Sequence, residues 1–236
     1  MMEEIISKPI FARSLPLLGT EGINNLIHAK VAIFGLGGVG SYAAEALARS
    51  GIGQFELIDK DIVDASNLNR QLCALESTIG QAKVKIIANR IKDINPSVIC
   101  HEHQIFYSNE IGFDFLPKDL DFIIDAIDDV KAKIDLIVKA NQNNIPIISA
   151  LGAGNKMDPT AFKIVDIYQT YNDPLAKKMR SELRKMGIEK QDVVFSDEKP
   201  IFKDANLIAS LPFVPSVSGL ICASYVIKKI AFQPDD

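Results

Sequence analysis

The run Val31-Ala-Ile-Phe-Gly35-Leu-Gly37-Gly38-Val-Gly40 constrains this chain more than any other stretch. Val31, Ile33 and Phe34 are strand formers, Gly35, Gly37 and Gly40 carry the spacing Gly-x-Gly-x-x-Gly, and Tyr42, Ala43, Ala46 and Leu47 follow at helical spacing from a start near Gly38. Residues without a Cβ let the backbone turn tightly and come close to a phosphate. The helix that follows adds unpaired N–H groups and partial positive charge. A phosphate is therefore expected at Gly38 and Val39. A second strand over 55–58 leads into Asp59, about 20 residues beyond the turn, where such folds place an acid on ribose hydroxyls. So far NAD fits as well as ATP.

The rest of the chain continues the alternation. Residues 80–94 read as a helix with Val84, Ile87 and Ile91 on one face, ending at Asn95-Pro96. Strands are expected over 98–105, 121–125 and 145–149, with a helix over 131–141 between the last two. Strands alternating with helices give an α/β fold, a doubly wound, Rossmann-like and mostly parallel sheet with helices on both faces and a C-terminal extension. Beyond Gly152 a strand over 162–168 precedes Asp173-Pro174, a cap followed by a first-turn proline. The helix opened there carries an apolar stripe at Leu175, Met179 and Leu183. With 236 residues, 47% of them hydrophobic, the chain can bury a large single core, so one α/β domain is expected over 1–236. Within it, about 11–150 form the nucleotide core and about 151–236 the crossover and substrate part.

The net charge of −4 excludes a generally basic nucleic-acid binder but permits a local patch. Cys73, Cys100 and Cys222 form no Cys-x-x-Cys pair, so no structural zinc is expected and a reducing, cytoplasmic setting fits. Cys73 reads as a small buried thiol. The opening Met-Met-Glu-Glu-Ile-Ile lacks the basic and apolar regions of a leader. The uncharged run 207–227 has the length of a membrane span, but Pro212, Pro215, Gly219 and its serines interrupt it. The expected form is a loop through Pro215, an N-cap at Ser216 and a buried helix to about Ile230.

A dehydrogenase needs little beyond the turn, the acid and a pocket. This chain also carries Asp61, Asn67, Arg70, Gln71, Lys83 and the sequence Asp125-Ala-Ile-Asp128. Attack on the α-phosphorus of a triphosphate places negative charge on phosphate oxygens and on the departing pyrophosphate, which fixed cations and a metal offset. The set therefore points to nucleotidyl transfer. Together with the glycine turn it resembles the ubiquitin-activating-enzyme-like adenylating family, which includes the molybdopterin- and thiamine-biosynthesis adenylyltransferases. The likeness runs from about Phe11 to Ile230. It implies that Gly35, Gly37, Gly38 and Gly40 cradle ATP, that Asp59 holds ribose, and that Asn67, Arg70, Gln71 and Lys83 line or grip the nucleotide, with Asp61 a further acid of that site. It places Asp128 at Mg2+ and the phosphates. Phe11-Ala-Arg13-Ser14 is similar to the family segment whose arginine enters the partner subunit's ATP site, which implies a homodimer and gives Arg13 a catalytic role beside Arg70, Lys83 and Asp128.

Within that family, Gly152-Ala-Gly-Asn-Lys156, Asp173-Pro-Leu-Ala-Lys-Lys-Met-Arg180 and Phe213-Val-Pro-Ser-Val-Ser-Gly-Leu220 are similar to the tRNA threonylcarbamoyladenosine dehydratases. These activate the carboxylate of a modified adenosine with ATP and close it onto its own side chain with loss of water. A ring closure within one substrate needs no enzyme nucleophile, because neighbouring groups reach effective molarities on the order of 10⁵–10⁸ M. The crossover region after Gly152 has no cysteine before Cys222. A tRNA substrate requires a local basic surface, for which Lys156, Lys177, Lys178, Arg180, Arg184 and Lys185 are candidates; the same charges also suit a solvated helix face. The rival within the family is an adenylyltransferase for the C-terminal glycine of a ubiquitin-like sulfur carrier, and a sulfur-transfer partner is a further expectation. A nicotinamide-dependent oxidoreductase and a non-catalytic nucleotide-binding scaffold leave the Arg, Lys and Asp set unused.

Overall fold

Seven short strands form one sheet in the computed structural model, which describes residues 8–202 and 207–232. They are β1 (Lys30–Phe34), β2 (Gln54–Ile58), β3 (Ile99–His103), β4 (Phe122–Asp125), β5 (Ile147–Ala150), β6 (Phe162–Asp166) and β7 (Asp192–Ser196), in the spatial order β3-β2-β1-β4-β5-β7-β6. All pairings are parallel except β6 with β7. The chain moves outward from β1 through β2 to β3, then returns to lay β4 on the other side of β1. A crevice opens where the direction reverses, outside the carboxyl ends of β1 and β4.

Six α-helices are described: α1 (Leu15–His28), α2 (Gly40–Ser50), α3 (Lys83–Ile94), α4 (Val130–Gln142), α5 (Pro174–Lys185) and α6 (Phe213–Ala231). One face of the sheet packs Val31, Ile33, Leu57 and Ile124 against the apolar stripes of α2, α3 and α6. The other packs Ala32, Phe34 and Ile123 against α4 and, toward β7, Val193 and Phe195 against α4 and α5. Each fully buried aliphatic side chain contributes about 1.5–3 kcal/mol, so the alternation along each strand fixes which face meets which helices.

The uncharged C-terminal run is α6, which packs against α1, α2 and β5. It is long and apolar enough to cross a membrane, but ten of its residues are buried within the fold. The helix begins three residues before the expected cap at Ser216, because Pro215 lies in its first turn, where a missing N–H forfeits no intrahelical bond. The strand expected over 162–168 stops at Asp166, whose side chain accepts from the Tyr168 N–H and turns the chain into a short 3-10 segment. Strand β7 and helix α1 stand where no regular element was predicted. The N-terminal residues read for a leader lie outside the described residues.

Candidate active site

The glycine turn joins β1 to α2 at the mouth of the crevice. Gly35 has φ +86°, and a Cβ there would lie 2.6 Å from the carbonyl oxygen of Ala126, at the end of β4. A Cβ on Gly40 would overlap the Gly35 carbonyl oxygen. Gly35 and Gly40 thus permit the turn and the close packing behind it; Gly35, Gly37, Gly38 and Val39 line the cleft, and Gly40, expected there, packs behind it instead. The cleft encloses about 350 Å³. Its walls are the glycine turn, Asp59-Lys60-Asp61 after β2, Arg70-Gln71, Lys83 at the start of α3, Ile105-Phe106-Tyr107 after β3, and Ala126-Ile127-Asp128 after β4. Ala153, Gly154, Ile208, Ser210 and Pro215 complete it from the C-terminal part.

The glycine turn itself orients Asp59. Asp59 accepts from the Leu36 N–H at 2.6 Å through Oδ2 and from the Asp61 N–H at 2.8 Å through Oδ1. Burial raises its pKa above the ordinary carboxylate value despite those two bonds. Lys83 is buried, and its Nζ stands 3.0 Å from Asp61 Oδ2. Arg70 donates from Nη1 to the Ser66 carbonyl at 2.9 Å and to Asn69 Oδ1 at 2.7 Å, which aims it from the 66–69 turn. Burial also raises the Cys73 thiol's pKa, so this cysteine near the cleft is a packed side chain rather than a thiolate.

Gly35, Gly37, Gly38, Asp59, Asp61, Arg70, Gln71, Lys83 and Asp128 therefore meet in one cleft, as the sequence led us to expect. Asn67 does not line it. Its Oδ1 accepts from the Asp64 N–H at 3.2 Å and closes a capping box on the turn 64–67. Arg13 also stands outside the cleft of its own chain, exposed, two residues beyond Phe11, which is buried against Ile23. Of the basic residues proposed for nucleic acid, Lys156 is only 7% exposed, donates to the Ser196 carbonyl at 2.9 Å, and has its pKa lowered by burial. A phosphate backbone cannot reach it. Arg180 is tied to Thr170, donating to its carbonyl at 3.0 Å. Lys177, Lys178, Arg184 and Lys185 remain exposed, Arg184 lying 4.9 Å over the Tyr168 ring and Lys185 pairing with Glu182 at 2.8 Å.

Sequence reasoning missed Lys60, which lies 4.6 Å over the Phe106 ring, and Phe106, Ile208 and Ser210. Lys60 and Phe106 were findable, since they lie two and three residues beyond the carboxyl ends of β2 and β3. Ile208 and Ser210 carry no such local signal.

Residues 11–235 match the ThiF family. The chain is 46% identical over 238 residues to the tRNA threonylcarbamoyladenosine dehydratase of Bacillus subtilis, covering 93% of this chain and 94% of that protein. The crystal structure of E. coli tRNA N6-threonylcarbamoyladenosine dehydratase in complex with ATP superposes with a TM-score of 0.87 at 33% identity, covering 94% of this chain and 96% of that one. An adenylyltransferase and sulfurtransferase of Arabidopsis thaliana is 36% identical over 114 residues, only 48% of this chain and 24% of that protein. The glycine turn, Asp59 and the cationic walls of the cleft all lie within the matched residues, which span nearly the whole sequence: the chain belongs to the ThiF family.

Proposed function

We infer that this protein is an ATP-dependent tRNA threonylcarbamoyladenosine dehydratase. The observation that carries the reading is one cleft uniting the phosphate turn, Asp59, Arg70, Lys83 and Asp128, in a chain similar over nearly its whole length to a dehydratase of that name. The likeness to the adenylyltransferase and sulfurtransferase stops at about half the chain, so it supports a shared nucleotide core and not a sulfur-carrier substrate.

ATP would lie with its ribose on Asp59, its phosphates over Gly37 and Gly38 at the start of α2, and its base beside Ile105 and Phe106. The carboxylate of the modified adenosine attacks the α-phosphorus. An oxygen–phosphorus bond forms as the bond to pyrophosphate breaks, and Arg70 and Lys83 offset the charge that gathers on the phosphate oxygens. A group of the same side chain then attacks the activated acyl carbon and expels AMP, so the nucleoside loses one water. Gly154, Ile208 and Ser210 line the side of the cleft that the C-terminal part contributes.

Among the described residues no three His, Cys, Asp or Glu converge to hold a metal by themselves. That suits Mg2+, which is commonly bound by one or two carboxylates together with substrate phosphates. Asp61 and Asp128, both in the cleft wall, are the residues that would hold it, and its chemistry there is neutralisation of phosphate charge. We place Arg13 in the cleft of a second copy, since it is exposed and held away from its own. In this reading residues 11–150 bind the nucleotide, and 151–236 close the cleft and present α5 to tRNA in the cytoplasm.

Pyrophosphate exchange into ATP tests the reading. It should depend on tRNA bearing threonylcarbamoyladenosine and ignore a ubiquitin-like sulfur carrier; the reverse pattern would transfer the protein to the rival function.

A further inference from the structure

Beneath the floor of the cleft lies an ion pair that the mechanism above does not use. Asp125, the last residue of β4, is 0% exposed, and Lys133, on the second turn of α4, is 1% exposed. Lys133 Nζ stands 2.9 Å from Asp125 Oδ1 and 3.5 Å from the Asp125 carbonyl oxygen. The same Oδ1 accepts from the Ile127 N–H at 3.2 Å. Asp129 caps α4 by accepting from the Ala132 N–H at 2.8 Å. The chain between these two fixed points, Ala126-Ile127-Asp128, is the stretch that lines the cleft.

Stability alone does not account for this pair. A buried ion pair replaced by apolar side chains of similar volume is often as stable or more so, and here Asp125 Oδ2 and the hydroxyl of Ser149, its neighbour in register, have no hydrogen-bond partner among the described residues. What the pair supplies is direction. One ammonium gripping both carboxylate and carbonyl of the last β4 residue, with that carboxylate in turn holding the Ile127 N–H, leaves the departing chain one course. We propose that Lys133 is the positioning residue that holds Asp128 at the phosphates, acting through Asp125. The proposal rests on the adenylation reading above.

Lys133→Met alone leaves an unpaired buried acid and can fail to fold, so the informative variant is Asp125→Asn with Lys133→Met, which removes both charges and keeps both shapes. Its Tm should lie near that of the parent, with KM for ATP within about threefold. Its kcat for pyrophosphate exchange should fall about 100-fold, the cost of misplacing a group by about 1 Å. Adding Asp128→Asn to this double variant should cost far less than the same change in the parent, because the position it removes is already lost. A stable double variant with parental kcat, or an Asp128→Asn effect of equal size in both backgrounds, would overturn the proposal. Absence of exchange in the parent protein would instead refute the adenylation reading.

Discussion

At the scale of single residues, the glycines of the phosphate turn separate into two kinds. Gly40 has no room for a methyl group, whereas a Cβ on Gly37 would meet the Gln71 side chain at ordinary contact distance, 3.6 Å from Nε2. Gly40→Ala should therefore cost at least the 1–3 kcal/mol typical of overpacking, seen as a lowered Tm and a weaker ATP titration, while Gly37→Ala should leave Tm nearly unchanged. In the proposed reaction the charge of Lys83 offsets the negative charge that gathers on the phosphate oxygens. Lys83→Ala should retain most ATP binding but lower kcat for pyrophosphate exchange on the order of 10²- to 10³-fold, a split that a non-catalytic scaffold would not show. That Asp59, Arg70, Lys83 and Asp128 share one cleft was legible in the sequence, because a glycine turn after a strand with an acid about 20 residues on, and cations beyond it, is a spaced pattern. Asn67 has the right type but spends its side chain on the capping box, and Lys156 has the right charge but is buried. Side-chain chemistry can be read from sequence more readily than its accessibility, which depends on what packs above it.

At the scale of elements, the connection from β3 to β4 contains no helix, and the sheet corner it leaves is filled by side chains. Glu56 of β2, 1% exposed, meets His101 Nδ1 at 2.6 Å and His103 Nε2 at 2.7 Å, and accepts from Gln54 at 3.1 Å. Burial alone would raise the Glu56 pKa, but the hydrogen bonds from His103, His101 and Gln54 outweigh it and hold the carboxyl below its ordinary value of 4.5. A depressed folded-state pKa gives stability that is complete above pH 4.5 and is lost as pH falls through the lower folded value. Glu56→Gln should thus lower stability by about 1–3 kcal/mol at neutral pH, and the gap to the parent should narrow in thermal melts below pH 4.5. Helix α5 carries the remaining exposed basic residues. Charge reversal at Lys177 and Arg184 should weaken tRNA binding and flatten its dependence on log salt by about 0.9 for each phosphate contact removed; unchanged affinity and slope would make α5 a solvated face. The periodicities of α2 to α5 were legible because each has one apolar stripe. Strand β7 was not, since its apolar centre is only Val193-Val194-Phe195 within a charged stretch, and the same lack of pattern hid α1, which is kinked at Gly19, where φ is +69°, and also carries Pro16 and Gly22.

At the scale of the whole molecule, the sheet brings residues from both halves of the chain to one cleft, and Arg13 is the one predicted catalytic side chain it leaves outside. If Arg13 completes the cleft of a second copy, Arg13→Ala and Lys83→Ala proteins should each be inactive alone. Mixed and allowed to exchange subunits, they should recover on the order of a quarter of parental activity, since about half the dimers are mixed and each has one intact site. No recovery would place Arg13 outside the reaction or within its own subunit. The doubly wound, mostly parallel sheet was legible from the alternation of strands and helices. The antiparallel β6 and the closure of the cleft by Ile208 and Ser210 were not, because they depend on contacts between segments far apart in sequence. The central claim is the chemistry of that cleft, and one measurement addresses it most directly: incubate the protein with Mg-ATP and tRNA bearing threonylcarbamoyladenosine, digest under mild conditions, and weigh the nucleosides. The account predicts a nucleoside lighter by one water, formed only with ATP and not by an Arg70→Ala protein. A nucleoside of unchanged mass, from a protein that binds both ATP and that tRNA, would contradict it.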